Sequence, residues 1–116
     1  MNNDGTDNLF PIIKMDLLWT NESPTSAFAP QTVELDLSSY KSILIVWQAY
    51  TGTGKFATLV PMLAYDSVAS GFIDSSVAIN KRKFTPSTTG IAFAGGTNST
   101  SSNNSSCIPN LIYGIK

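Results

Sequence analysis

The side chains that could carry catalysis in this chain are few. The sequence has no histidine and one cysteine, Cys107. That composition excludes Ser-His and Cys-His nucleophile pairs, histidine-ligated metals and any thiolate metal site that needs two cysteines. Catalysis would need carboxylates or lysines, and a glycosidase needs two carboxylates on opposite sides of one bond. The acids to consider are Glu34, Asp36, Asp66 and Asp74. Nothing in their spacing pairs them, so we expect a protein that is not an enzyme and has no metal or cofactor.

The segment Thr51-Gly52-Thr53-Gly54-Lys55 has a superficial likeness to a phosphate-binding loop. That pattern needs a glycine five residues before its second glycine and a serine or threonine after the lysine. Ala49 and Phe56 occupy those places. No helix is predicted after the segment to offer its N-terminus to a phosphate. We therefore interpret the segment as a hairpin turn.

The only basic cluster in the sequence is Lys81-Arg82-Lys83. In a strand, Lys81 and Lys83 lie on one face and Arg82 lies on the other, because side chains alternate. The cluster fits either a solvated strand face or a patch for an acidic wall polymer or for an aspartate of a neighbouring subunit. Three charges are too few to indicate a nucleic-acid site.

Aromatic side chains could stack on sugar rings, since each offers a flat apolar face with a polar handle. Trp47 lies in the longest apolar run and is predicted to be buried. Tyr50 and Tyr65 lie near predicted turns, which makes them the better candidates for a ligand contact. The predicted ligand-binding residues are therefore Tyr50, Tyr65, Lys81 and Lys83.

The element that must position these residues is the apolar run from Ile43 to Tyr50. It is too short to cross a membrane as a helix, which needs roughly 20 apolar residues. Its β-branched and aromatic residues favour a strand. Such a strand is apolar on both faces, whereas a typical antiparallel strand keeps one face polar. We expect a central strand whose second face is covered by another sheet, the N-terminal arm or a neighbouring subunit.

The remaining pattern predicts an all-β chain. No segment shows helical periodicity, and turn residues recur at roughly the 8–12-residue spacing of a sandwich or barrel. We predict six to eight strands in a single-domain antiparallel β-sandwich, jelly-roll-like, over residues 15–116. Within it, residues 66–70 are predicted as a turn, 73–85 as one long strand with Val77 and Ile79 on one face, and 95–106 as a long loop.

Residues 1–14 are predicted to form an N-terminal arm outside the sandwich. Its first part is polar and is predicted to be flexible. Its second part is predicted to be an apolar docking segment interrupted by a proline. The residues predicted to mediate self-association or docking are Leu9, Phe10, Ile12 and Ile13. No basic leader precedes an apolar stretch at the start, so no signal peptide is predicted.

Length and charge narrow the range of partners. A chain of 116 residues corresponds to about one domain. The formal net charge is −1 and only 13% of residues are charged, so the sequence predicts neither nucleic-acid binding nor attraction to an anionic membrane. No stretch is predicted to insert into a membrane.

Three segments resemble small C-terminal domains of phage and prophage structural proteins, of the tail, baseplate or head-fibre type, from phages of Firmicutes and gut bacteria. The first runs from Leu18 to Val33 and includes Leu-Trp-Thr-Asn and Ser-Pro-Thr-Ser-Ala-Phe-Ala-Pro-Gln-Thr-Val. The second is Leu-Ser-Ser-Tyr-Lys-Ser-Ile-Leu-Ile at residues 37–45, and the third is the ending from Asn103 to Lys116. Together they span nearly the whole chain after residue 15.

The resemblance implies a β-sandwich displayed on a virion, often as a homotrimer, that binds a host surface. It brings no catalytic motif. The function we expect is a non-enzymatic virion module that self-associates, contacts other virion proteins and binds a host cell-surface saccharide or wall polymer. Two alternatives stay open: a purely structural decoration or docking module, and a carbohydrate-binding module of a secreted bacterial protein.

Overall fold

A computed structural model of the protein describes residues 14–62 and 66–116. These ranges contain nine β-strands joined by turns and loops, and no helix. The strands are β1 (Met15–Thr20), β2 (Gln31–Glu34), β3 (Ser42–Tyr50), β4 (Thr53–Pro61), β5 (Val68–Ile73), β6 (Ile79–Ser87), β7 (Gly90–Asn98), β8 (Ser101–Ser102) and β9 (Ser106–Ile115).

The strands form two antiparallel sheets packed face to face. Sheet A has the order β1-β9-β3-β4, and sheet B has the order β2-β7-β6-β5, with β8 paired to β7. β1 pairs with β9 and β2 pairs with β7, so each of the first two strands lies beside a strand from late in the sequence. The pairs β3–β4, β5–β6 and β6–β7 are hairpins. This confirms the prediction of an antiparallel β-sandwich.

The core lies between the sheets and is centred on Trp47. The Trp47 side chain is fully buried, with ring centroids 5.6 Å from Phe84 and 5.9 Å from Phe93, both in sheet B. Ile43 and Ile45 are buried on the same face of β3, as strand alternation requires. Phe28 pins the long β1–β2 loop to this core, since its ring lies 5.5 Å from that of Phe93. The predicted burial of Trp47 is confirmed.

The prediction of one strand over residues 73–85 is wrong. A turn at residues 74–78 divides this stretch, and the preceding residues form β5 rather than the predicted turn. The Asp74 carboxylate accepts hydrogen bonds from the backbone N–H groups of Ser76 and Ala78, at 2.9 and 3.0 Å. Aspartate often closes a turn in this way, and here that local bond overrides the β propensity of Val77.

The predicted long loop over residues 95–106 is also largely strand. β7 extends to Asn98 and pairs with the two-residue β8, with Thr97 opposite Ser102. Polar Thr, Ser and Asn side chains are compatible with a solvated sheet face, so composition alone could not separate a strand from a loop here. The predicted docking residues Leu9, Phe10, Ile12 and Ile13 and the predicted ligand residue Tyr65 lie outside the described residues.

Candidate binding surface

Strand β6 presents two different faces because its side chains alternate. Lys81, Lys83 and Thr85 are exposed, whereas Asn80, Arg82 and Phe84 are buried. The structure thus separates the basic cluster as the sequence predicted, with both lysines on one face and Arg82 on the other. The complete burial of Arg82 was not predicted.

Arg82 anchors this strand through all of its guanidinium N–H groups. Nε donates to the Cys107 carbonyl at 2.8 Å, and Nη1 donates to the Phe28 and Ala94 carbonyls at 2.9 and 2.8 Å. Nη2 donates to the carbonyls of Asn104 and Ser106 at 3.2 and 3.1 Å. Burial lowers the pKa of Arg82 to about 10, so the group stays charged at neutral pH. The anchor fixes β6 against β7, β9 and the β1–β2 loop.

On the opposite side of this anchor, the two lysines border a depression of about 460 Å³ in the outer face of sheet B. Small residues surround them: Gly71 is opposite Lys81, and Ala69 is opposite Lys83. Hydroxyl groups complete the lining, which consists of Lys81, Lys83, Ala94, Gly95, Thr97, Ser99 and Thr100. Two residues along a strand span roughly 7 Å, so the surface offers two positive charges about that far apart beside several hydroxyl groups.

Lys81 and Lys83 are exposed, and neither forms a salt bridge with a described carboxylate. Among residues 14–62 and 66–116, the salt bridge found is between Lys116 Nζ and Asp16, at 3.8 Å and at the far end of sheet A. An uncompensated pair of cations on a flat, hydroxyl-rich surface suits a polyanion, which can contact both lysines at once. Its attraction would be screened by salt, because the charges are exposed.

Tyr50 does not join this surface. Its hydroxyl donates a hydrogen bond to the Asp74 carboxylate at 2.9 Å, and its ring packs perpendicular to the Phe72 ring, with 5.2 Å between the ring centroids. Burial, with the Asp74 carboxylate as the next cause, raises the pKa of the Tyr50 phenol. The side chain is half-buried and ties sheet A to the β5–β6 hairpin of sheet B. Of the predicted ligand residues, the structure therefore brings together Lys81 and Lys83.

The candidate acids Asp74 and Asp36 are each held by local hydrogen bonds, and Glu34 and Asp36 line one surface depression. Asp74 is held by two backbone N–H groups of its own turn and by the Asn80 amide and the Tyr50 hydroxyl, which lower its pKa. The Asp36 carboxylate accepts hydrogen bonds from the Ser38 hydroxyl and backbone N–H, which also lower its pKa. A carboxyl group that acts as a general acid at neutral pH needs a raised pKa. The pKa shifts of Asp74 and Asp36 run in the opposite direction.

A second depression, of about 420 Å³, lies between the end of β1 and the β1–β2 loop. Half-buried Trp19 forms its apolar wall, and its polar lining includes Asn21, Glu22 and Gln31. The Asn21 amide is already used in the fold, because it donates to the Pro109 carbonyl at 2.9 Å. This cleft combines the aromatic side chains of Trp19 and Phe28 with a largely polar lining.

Sequence reasoning missed the hydroxyl residues that complete the surface around the lysines. Thr97, Ser99 and Thr100 belong to a stretch predicted as a loop, and only the pairing of Lys81 with Thr97 brings them beside β6. Thr97, a residue type common in strands, is the sequence signal that could have indicated that β7 continues.

The described residues hold no group of three or more histidine, cysteine, aspartate or glutamate side chains arranged to bind a metal. In residues 14–62 and 66–116 we find no helix that could span a membrane. In comparisons with known proteins, no family model, no curated protein and no solved structure matches this chain.

Proposed function

We propose that this chain is a non-enzymatic module of a bacteriophage particle, of the tail, fibre or baseplate type, that binds an anionic saccharide or wall polymer of the host surface. The particle assignment is supported by the sequence resemblance described above. We place the module on the virion surface, as a homotrimer in contact with other virion proteins. Leu9, Phe10, Ile12 and Ile13 are the proposed docking residues of the arm.

The observation that carries the binding proposal is the arrangement of Lys81 and Lys83. Both side chains are exposed on one sheet face, unpaired with any described carboxylate, and fixed by the buried Arg82 between them. The neighbouring hydroxyl groups of Thr97, Ser99 and Thr100 can donate hydrogen bonds to phosphate or carboxylate oxygens. A linear polyanion can therefore cross β6 and contact both lysines.

The test is binding of the purified full chain to a poly(glycerol phosphate) wall teichoic acid, with a neutral glucan as the comparison ligand. Wild-type protein should bind the polyanion, and its affinity should fall as salt rises. Lys81→Ala/Lys83→Ala should weaken binding at least tenfold. Lys41→Ala/Lys55→Ala removes the same charge from exposed positions of sheet A and should bind as the wild type does.

Equal loss of binding in both double variants would mean that net charge, not this surface, attracts the polymer, and would contradict the proposal. Wall fragments incubated with the protein should release no reducing ends or amines above background. Release that disappears in Asp74→Asn would contradict the non-enzymatic assignment.

The Trp19 cleft favours a second candidate, a carbohydrate-binding module. Its aromatic wall and polar rim suit a neutral sugar. Binding of the neutral glucan that is lost in Trp19→Ala and kept in Lys81→Ala/Lys83→Ala would favour this alternative.

A further inference from the structure

The exposed large apolar side chains of the described residues fall into two patches. One, called here the sheet A face, lies on the outer side of sheet A; the other, called the hairpin patch, lies at the end of the β5–β6 hairpin of sheet B. The sheet A face contains Met15, Leu17 and Leu59, and the hairpin patch contains Ile73, Val77 and Ile79. Each of these side chains is at least 46% exposed.

The sheet A face is continuous across all four strands. Leu17 is opposite Tyr113, Tyr113 is opposite Leu44, and Leu44 is opposite Leu59. These four side chains form one apolar row about 14 Å long, given a strand spacing of about 4.8 Å. Flanking rows contain Met15, Ile115, Ser42 and Pro61 on one side and Thr20, Leu111, Val46 and Ala57 on the other. No charged residue belongs to the three rows.

The hairpin patch is built around a strained residue. Val77 has φ 63°, and its side chain is 77% exposed. A β-branched residue is rare in the left-handed region, and asparagine or glycine would occupy it at lower cost. Asp74 holds the turn in this conformation through its bonds to Ser76 and Ala78. An apolar side chain kept in a strained and solvent-exposed position points to a contact that uses it.

Beside the hairpin patch, the sheet surface is hollow. Ile73 and Ile79 pair directly and form one wall of a depression of about 240 Å³ whose floor includes Gly71 and Ala69. Gly71 has no room for a side chain, since a Cβ there would lie 1.9 Å from the Asn80 carbonyl oxygen. The hollow is therefore a fixed part of the hairpin and can receive an aliphatic side chain.

We propose that the hairpin patch of one copy of this chain docks on the sheet A face of a second copy. The two surfaces are apolar, lie on different sheets and differ in shape, one a broad row and the other a knob with a hollow. Pairing unlike patches covers both in a single type of contact. Pairing two sheet A faces would leave the hairpin patch in water.

The size of the sheet A face is compatible with such a contact. Four strands by three rows cover on the order of 400 Å² of flat surface, and side chains that stand out from the sheet add to the accessible area. A stable interface buries about 800 Å² on each partner, so the apolar rows supply its centre and surrounding polar residues the rim. A contact between unlike patches is heterologous and closes into a ring when the rotation between neighbouring copies permits, and the homotrimer proposed above is such a ring. The inference rests on the self-association in the proposed function; because Lys81 borders both the hollow and the depression beside the lysines, polymer binding is measured separately from association.

The test uses light scattering coupled to size-exclusion chromatography on four full-length double variants. Leu17→Lys/Leu59→Lys disables the sheet A face, and Ile73→Lys/Ile79→Lys disables the hairpin patch. Thr32→Lys/Thr85→Lys, on the distant part of the sheet B face, controls for added charge. Phe10→Lys/Ile12→Lys tests the arm as an alternative occupant. Wild type, the control and the arm variant should run as trimers, and each patch variant should run as a monomer.

Mixing the two patch variants gives the decisive result. Each retains one intact patch, so an equimolar mixture should form a heterodimer of one copy of each. A hairpin variant that keeps the wild-type mass, or a mixture that stays monomeric, would overturn the inference while the self-association stands. Loss of the trimer in the arm variant, with the hairpin variant unchanged, would assign the contact to the arm. A monomeric wild type would overturn both the inference and the proposed trimer, whereas polymer binding would remain measurable.

Val77→Asn gives an independent test of the hairpin patch. If Val77 served the fold alone, its replacement would change stability and leave association unchanged; if it serves the contact, the variant should be more stable and associate more weakly. On the monomeric Leu17→Lys/Leu59→Lys background, it should raise Tm by about 4 °C because the strain is relieved. On the wild-type background, it should weaken association at least tenfold. Unchanged association would overturn the role of the hairpin.

Discussion

Sheets A and B fill the same core with different chemistry. Sheet A contributes Ile45 and Trp47 with the neutral polar side chains Gln48, Ser106 and Asn110, whereas sheet B contributes Phe84 with Ser70, Asn80 and the charged Arg82. The outer faces show the reverse contrast, with apolar rows on sheet A and lysines beside hydroxyl groups on sheet B. The residues on the outer face of a sheet therefore do not predict which interactions stabilise its inner face.

The physical reason for the difference lies in what the two sheets contact. Sheet A packs its inner face mainly on side chains, so apolar burial stabilises it. Near Arg82, backbone carbonyls of β7, β9 and two loops converge, and the Asn104 carbonyl also accepts a hydrogen bond from the Phe28 N–H at 2.9 Å. A guanidinium with five donors satisfies them at once, and each carbonyl left unpaired in the interior would cost about 1–3 kcal/mol.

The largest effect is expected from Arg82→Ala. The change leaves several carbonyls unpaired and a cavity in the core, so the free energy of unfolding should fall by about 5 kcal/mol. That is a large part of the total stability of a small domain. Chemical denaturation followed by tryptophan fluorescence measures the loss. The matched control is Lys83→Ala, the next residue on the same strand, which should change stability by less than about 0.5 kcal/mol. Similar losses of unfolding free energy in Arg82→Ala and Lys83→Ala would mean that sheet B does not depend on its buried arginine.

A somewhat smaller loss is expected from Trp47→Ala in sheet A. Removal of this buried ring should cost about 3–5 kcal/mol, the usual range for a large aromatic side chain. The lost hydrogen bond from its Nε1 to Thr58 Oγ1, 3.0 Å long, is included in that range. Trp47→Phe keeps much of the ring volume and should lose less. Urea denaturation followed by circular dichroism measures both, and a loss below about 1 kcal/mol for the alanine variant would show that sheet A does not depend on apolar burial.

Asn80→Ala tests whether the buried hydrogen-bond network of sheet B stabilises the fold. The Asn80 side chain is fully buried and bonds to Asp74, Asn98 and Ser106 at 2.9–3.0 Å. Its loss leaves buried partners unpaired, so we expect a decrease of about 1–3 kcal/mol in unfolding free energy. Asn98→Ala, which removes one half-buried member of the same network, should cost less. An Asn80→Ala variant as stable as wild type would mean that this network contributes nothing.

The smallest effect concerns pH. Hydrogen bonds lower the pKa of Asp74 in the folded protein, so the ionised carboxylate contributes stability at neutral pH. That contribution is fully present above the ordinary carboxyl pKa of about 4 and is lost as the pH falls through the lower folded value. Thermal unfolding between pH 7 and pH 2 should show a smaller acid-induced decrease for Asp74→Asn than for wild type. Asp66→Asn, in an exposed position before β5, is the matched control. An equal decrease in all three proteins would contradict the assignment.

The sequence alone determined the fold class and the burial of Trp47. The apolar run that contains Trp47 predicts a strand, because its β-branched and aromatic residues suit a pleated surface. The exposure of Lys81 and Lys83 on one face follows from the alternation of side chains along a strand. The absence of histidine limits the available chemistry regardless of the fold.

The tertiary structure alone decided what lies opposite each strand. Pairing of β6 with β7 placed Thr97 beside Lys81, and the convergence of distant carbonyls made Arg82 the buried anchor of a strand that the sequence presents as basic. The Asp74 turn broke a predicted strand and left Val77 exposed. Each outcome depends on contacts between residues far apart in the chain, or on a side-chain hydrogen bond that competes with propensity, and periodicity contains no information about either.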